Sequence, residues 1–307
     1  MNYYEKLNEY IEYLQSLNYV QATIKGRKLR LLKFIDWLNE NKFAGKNLNV
    51  EIIEKYKDYL IHKPNENFKS KKNIAVSTQI RRLIYIKQFC LFLVKTGVLL
   101  HNPVSLIKYP KVYYKIKWKL ITDEQLAEKI KNYELNSPED YRNLAIVKLL
   151  YSSGMRAAEL VYVELADIDY ETEFVRIRQA KGGKERVEPI SADTVKTLKN
   201  YVENHRPALI NHLSKNFLFV SGAGGILTNP ALSRYIQKVI GKEYTAHCLR
   251  VACSTHMMKY GADIRFVQQQ LGHTSLNSIE PYIRLEKSEL KKIHTQTHPA
   301  EKRKNNE

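Results

Sequence analysis

Apolar residues recur every three or four positions along almost the whole of this chain, and only between residues 168 and 190 does their spacing shorten to two. There EFVRIRQ alternates, Gly182-Gly183 supplies a tight turn and ERVEPI returns, which predicts a β-hairpin. One short stretch of strand period among helical ones restricts the chain to a mainly α fold carrying a small antiparallel sheet.

The helical stretches fall into two groups. Residues 1–109 contain three glycines, Gly26, Gly45 and Gly97. Helices are expected over residues 1–17, with Tyr4, Leu7, Ile11 and Leu14 inward, and over 23–41, with Ile24, Leu31, Ile35 and Leu38 inward. A shorter helix is expected over 50–61. After the polar break HKPNENFKSKKN, Ser77 is placed to cap a long helix whose core stripe is Ile80, Leu83, Ile86, Cys90 and Leu93. Asn102-Pro103 ends this bundle, and IKYPKVYYKIKWKL reads as a basic, aromatic tether. The expected organisation is a helical domain over 1–109, a linker over 110–119 and a second domain over 120–307. In the second domain Thr122 and Gln125 match a capping box. Helices are expected over 141–152 and 157–163, again from Ser191 and Asn229, and in the run beginning at Thr245. Ser288 can cap a short helix ending at Ile293, and the tail HPAEKRKNNE is expected to fray.

The 307 residues carry 50 Lys and Arg against 32 Asp and Glu, a formal charge of +18. The first 110 residues hold 19 of the basic and 9 of the acidic residues, so both halves are basic. That distribution suits a protein that closes on a nucleic-acid duplex from two sides. Arg27, Lys28, Arg81 and Arg82 of the first domain, and Lys184 and Arg186 of the hairpin, are candidate backbone-phosphate contacts. Cys90, Cys248 and Cys253 make no Cys-x-x-Cys pair and read as buried thiols of a reducing compartment. The opening MNYYEKLNEY is charged, and no apolar run reaches the ~18 residues a membrane span needs, so a cytoplasmic, nucleoid-associated protein without membrane partners is expected.

The chemistry concentrates in six positions: Arg156 in SGMRAAEL, Lys181 on the hairpin turn, His247 and Arg250 in HCLR, His273 in LGH, and Tyr282. Cutting a DNA strand without water or metal needs a nucleophile that can leave again, donors for the non-bridging oxygens and an acid for the departing 5′ oxygen. A tyrosine attacking phosphorus conserves the bond energy in a 3′-phosphotyrosine. Arg156 and Arg250 offer planar forks of N–H donors matched to phosphate. His247 and His273 can donate to the same oxygens, and His247 can also take the phenol proton. Lys181, an ammonium on a flexible stem, suits the general acid. Glu159, one turn from Arg156, can orient that guanidinium. His247 and Arg250, three apart on a helix, share a face.

Order and spacing of these motifs resemble the tyrosine recombinases of the phage integrase and Xer type. Gly154-Met155-Arg156 with Glu159-Leu160, then Lys181-Gly182-Gly183, His247 with Arg250, Leu271-Gly272-His273 and Tyr282 nine positions after His273 reproduce the family pattern. Thr255-His256 and Gly261-Ala262-Asp263 extend it, so the likeness covers most of residues 120–285. Two positions depart. Val251 stands where many relatives carry a further histidine, and Pro281 precedes the tyrosine in place of a more flexible residue.

The resemblance implies a helical SAM-like core-binding domain followed by a mixed α/β catalytic domain. It further implies a double-stranded DNA partner with an inverted-repeat core site and a homotetramer exchanging strands through a Holliday junction, with or without a paralogous partner or a DNA-bending accessory protein. The terminal segment, about residues 286–307, would dock on a neighbouring subunit. No cofactor and no metal is implied. Movement of a mobile element or resolution of a replicon is the expected role. A type IB topoisomerase-like relaxing activity and a non-catalytic DNA-binding accessory remain open as alternatives. Other chemistries lack their signatures: there is no G-x-S-x-G elbow, Walker loop or dinucleotide fingerprint, and the histidine spacings match no common zinc pattern.

Overall fold

The computed structural model describes residues 2–62, 73–110, 120–178 and 185–272. The chain separates into two compact units, Met1–Ile116 and Lys117–Glu307. Most of the expected linker lies outside the described residues.

The first unit is a bundle of four helices, α1 (Tyr3–Ser16), α2 (Gln21–Glu40), α3 (Val50–His62) and α4 (Val76–Lys95), closed by a 3-10 turn at Pro103–Leu106. Leu7, Ile11, Leu14, Ile24, Leu31, Ile35 and Leu38 are buried as their spacing predicts. Three expectations are corrected. Tyr3 and Tyr10, not Tyr4, complete the inward stripe of α1; Tyr4 is exposed and its hydroxyl donates to Asp36 at 2.8 Å. Helix α4 begins one residue before Ser77, with Ala75 at the cap and no side-chain cap bond. Gln79 ties down that end instead, donating to the Ile74 carbonyl at 2.8 Å, and it is buried while Ile80 is half-buried. An aromatic cluster anchors the core, Phe34 and Trp37 each meeting Tyr56 edge-on with centroids 4.7 and 5.0 Å apart.

The second unit is mixed. It contains α5 (Asp123–Lys131), α6 (Pro138–Ser153), the single turn α7 (Ala157–Leu160), strands β1 (Ile168–Asp169), β2 (Phe174–Ile177) and β3 (Arg186–Pro189), then α8 (Ala192–Asn200), α9 (Asn229–Ile240), α10 (Ala246–Lys259) and α11 (Ile264–Gln270). The capping box at Thr122 and Gln125 forms, with both bonds at 3.2 Å. Helix α6 buries Leu144, Ala145, Ile146, Val147, Leu149 and Leu150, residues distributed around its whole circumference. A helix apolar on all sides must sit at the centre of its domain, and α6 is packed by α8, α9 and α10.

Helix α7 stops at Leu160, short of the expected Val163. The backbone is needed elsewhere: Val163 accepts from the Leu218 N–H at 2.8 Å and the Leu165 N–H donates to Asn216 at 2.9 Å, so this stretch pairs with residues 216–218. The three strands form one antiparallel sheet in the order β1-β2-β3. Its register pairs Val175 with Glu188 and Ile177 with Arg186. Strand alternation therefore turns Val175, Ile177, Arg186 and Glu188 to the same, inward face. At the far end of α10, Lys259 donates to Asp123 at 3.1 Å and Tyr260 donates to the same carboxylate, fastening α10 to the first turn of α5.

Candidate active site

Helix α6 ends on Gly154, whose φ of +62° lies in the left-handed region. The chain then turns through Met155 into Arg156, which precedes the short α7. A side chain at 154 has no room as well as the wrong backbone: a Cβ there would lie 3.0 Å from Leu271 Cδ2 and 3.2 Å from Cys253 Sγ. Gly154→Ala is therefore expected to destabilise the protein by about 1–3 kcal/mol, through left-handed strain plus overpacking. Chemical denaturation measures it, and an unchanged midpoint would contradict this account of the turn.

Arg156 and Arg250 arrive from different elements and meet at the end of α11. Arg250, on the second turn of α10, is 3% exposed and donates from Nη1 to the Gly154 carbonyl at 2.6 Å and from Nη2 to the Leu271 carbonyl. Arg156 donates from Nη2 to the Gly272 carbonyl at 3.4 Å. Carbonyls at a helix C-terminus lack intrahelical partners and carry the negative end of the helix dipole, so they attract guanidinium groups. Gly272, at φ +58°, turns the chain out of the helix there. Two permanent cations thus gather one residue ahead of His273. His247 lies one turn before Arg250 on α10. The surrounding protein, and then the positive charge of Arg250, hold its imidazole below its ordinary pKa, so at neutral pH it is a base able to accept a proton.

Glu159 is 4% exposed and organises the cations beneath the pocket. It accepts from the Arg156 backbone N–H at 2.7 Å and from Arg156 Nη1 at 2.8 Å. It also accepts two bonds from Arg186, at 3.0 and 2.8 Å. Burial alone would raise its pKa. The Arg186 bonds, followed by those from the Arg156 backbone and side chain, outweigh burial and bring it down to about 2. The expected orienting contact between Glu159 and Arg156 is present.

Arg186 has an environment unlike that of a surface phosphate contact. Its guanidinium reaches inward, giving Nη1 and Nη2 to Glu159 and Nε to Glu188 at 2.8 Å. Glu188 is 3% exposed. Its burial pushes its carboxyl up to about 7 against the pull of Arg186 and Arg250. Glu188 was not among the sequence candidates. The parity of β3 is the signal that finds it, because alternation in ERVEPI puts Arg186, Glu188 and Ile190 on one face.

Of the other first-unit candidates, Lys28 and Arg81 are exposed, while Arg27 and Arg82 are half-buried. Arg27 lies 4.6 Å over the Tyr19 ring and donates to the Tyr10 hydroxyl at 3.3 Å. Lys181, Lys184, His273 and Tyr282 lie outside the described residues, as do Pro281 and the segment from Ser288 to Ile293. Val251 is buried against Leu120, Met258 and Ile264, so the residue after Arg250 faces packing. His256 is also buried, its Nδ1 2.9 Å from the Tyr151 hydroxyl, and Asp263 caps α11. The three cysteines are free and buried. Among the described residues no group of His, Cys, Asp and Glu is arranged to hold a metal, and no helix is long and apolar enough to cross a membrane.

Comparison with known proteins adds to this geometry. The model of the phage integrase family matches residues 119–289. Tyrosine recombinase XerD of Staphylococcus epidermidis is 29% identical over 300 residues, covering 95% of this chain and 98% of that protein. XerD of Staphylococcus aureus is 30% identical with the same coverage. Among solved structures, the XerH site-specific recombinase bound to palindromic difH substrate has a TM-score of 0.71 at 20% identity, covering 91% of this chain and 80% of that one. The Tn1549 transposon integrase in complex with circular intermediate DNA has a TM-score of 0.68 at 16% identity, covering 90% and 94%. These two likenesses establish the mainly helical fold with its small antiparallel sheet.

Proposed function

Because the chain belongs to the phage integrase family, and is thereby a site-specific tyrosine recombinase that cleaves and rejoins DNA, we propose that Tyr282 is its nucleophile and that Arg156, Lys181, His247, Arg250 and His273 form the pocket around it. The phenolic oxygen attacks the scissile phosphorus, the 5′ oxygen leaves with a proton from Lys181, and a 3′-phosphotyrosyl ester holds the strand until a 5′ hydroxyl reverses the step. Arg156 and Arg250 offset the charge that builds on the non-bridging oxygens, with fixed donors that need no reorganisation. His247, held neutral, takes the phenol proton.

The observation that carries this reading is the convergence of both arginines on the consecutive carbonyls of Leu271 and Gly272, immediately before His273. The carbonyls explain where each guanidinium rests, and a phosphodiester explains the use of two such forks, from residues more than 90 positions apart, at one spot. The DNA is a duplex carrying inverted repeats, engaged by four copies of the chain, and the reaction serves a mobile element or the resolution of a replicon. The solved relatives support the assembly: one is a lambda integrase tetramer bound to a Holliday junction, another a lambda integrase dimer bound to a core site.

The test uses the full-length protein and duplexes selected from a random pool for binding, then nicked so that a short cleaved fragment diffuses away. A covalent protein–DNA adduct should accumulate, and peptide mapping should place the linkage on Tyr282. Linkage to any other side chain, or no adduct on any bound duplex, would overturn the assignment.

A further inference from the structure

The four charged groups under the pocket form an unbroken chain. Glu188 on β3 accepts from Arg186 Nε, Arg186 gives both terminal nitrogens to Glu159 on α7, and Glu159 accepts from Arg156 Nη1 and from the Arg156 backbone. Its members differ in exposure: the side chain of Arg156 is 29% exposed and that of Arg186 14%, while the two carboxylates are almost wholly covered. The Arg156 end is the most exposed of the four. The rest of the chain therefore serves to hold that end.

Geometry decides which member controls the others. A carboxylate has two oxygens, and both oxygens of Glu159 are shared between Arg156 and Arg186: Oε1 takes Arg156 Nη1 and Arg186 Nη1, Oε2 takes the Arg156 N–H and Arg186 Nη2. Two parallel N–H bonds from a planar fork fix the plane of the carboxylate, which a single bond cannot do. The plane so fixed sets the direction from which Arg156 can be held. Arg186 is itself fixed by its strand, where it lies opposite Ile177, and by Glu188 two residues on. We propose that Arg186 is a positioning residue of the strand-cleavage pocket, clamping Glu159 between β3 and α7 so that Glu159 aims Arg156 at the scissile phosphate. This rests on the assignment of Arg156 to the pocket made above, and it gives Arg186 a role other than contact with the DNA backbone.

Without Arg186 the buried Glu159 keeps, among the described residues, Arg156 as its cationic partner. Among the described residues, the charged groups that act on this pair of carboxylates are Arg156 at the start of α7, Arg186 on β3 and, on Glu188, Arg250 of α10. Removing the strongest pairing contact must raise the pKa of Glu159, since burial then weighs more heavily against the charged form. Protonated Glu159 no longer holds Arg156 by charge. A pH dependence absent from the native enzyme, in which Glu159 is ionised at every working pH, should therefore appear.

The experiment compares single-turnover adduct formation and site affinity for the native protein, Arg186→Gln, Arg186→Lys and Arg156→Ala, each at matched site occupancy and from pH 5 to 8. Arg186→Gln should lower the cleavage rate about 10- to 100-fold, the cost of a misplaced catalytic group. Its site affinity should stay within about 3-fold, because most phosphate contacts lie elsewhere. Its rate should fall further toward pH 5, relative to native, as Glu159 protonates. Arg186→Lys keeps the charge but not the fork, so its rate should lie between the two, and its retained charge guards against loss of the fold. The proposal is overturned if Arg186→Gln cleaves at the native rate, or if its rate and affinity fall together with no change in the pH profile. Native cleavage by Arg156→Ala would instead overturn the pocket assignment itself, so the two failures are distinguishable.

Discussion

Arg250→Ala should reduce adduct formation by about 10³-fold or more at matched occupancy of the DNA site, the upper range for removing one preorganised donor to a developing oxyanion. The loss has two sources. The fixed charge proposed to stand beside the phosphate disappears, and so does the link between the Gly154 turn and the end of α11, since one guanidinium donates to both the Gly154 and Leu271 carbonyls. Each carbonyl left without its donor costs about 1–3 kcal/mol of stability where it is buried. Arg250→Lys separates these contributions, because a single ammonium keeps the charge but cannot span both carbonyls. It should retain more activity than Ala and still fall well below native. Cleavage by Arg250→Ala within 10-fold of native would remove Arg250 from the pocket.

The second large effect concerns stability and its direction with pH. Glu188 is paired with Arg186 and lies within electrostatic reach of Arg250 and Cys253 of α10 and of Glu159. Burial is the leading cause that lifts its carboxyl from the ordinary 4.5 to about 7. A group whose folded pKa is raised stabilises the fold fully below its unfolded value, and that contribution is lost as pH climbs through the folded one. Between pH 4.5 and 7 ionisation of Glu188 therefore costs on the order of 3 kcal/mol. Glutamine stays neutral and keeps an oxygen for Arg186 Nε. Glu188→Gln should match the native protein at pH 5 and exceed it at pH 8, by up to that amount, in denaturant unfolding. Glu159 works in the opposite sense, but its stabilisation is lost only as pH falls from 4.5 toward about 2, outside this comparison. An equal difference at pH 5 and pH 8 would show that Glu188 does not titrate in this window.

Much of this architecture was legible in the residues. Helical spacing locates eleven of the core positions of α1, α2 and α4, and the period change locates the hairpin strands. The order of arginines, histidines and tyrosine pointed to the family before any fold was known. What the sequence concealed shares one physical cause, competition from distant partners. The length of α7 is set by residues 216–218 claiming the backbone at Val163 and Leu165. The inward turn of Arg186 is set by two acids, one of them on another element. Charge by itself suggested that an arginine after a glycine-rich hairpin faces DNA, whereas strand parity pairs it with buried neighbours. Reading the parity of ERVEPI against Ile190 would have found Glu188 as well.

Helix α10 carries His247 and Arg250 near one end and ends in Lys259 and Tyr260, both fastened to Asp123 at the other. An α-helix of 14 residues spans about 20 Å and is stiff along its axis. The first turn of α5 and the turn that carries Arg250 are therefore joined, within the second unit, by one stiff element.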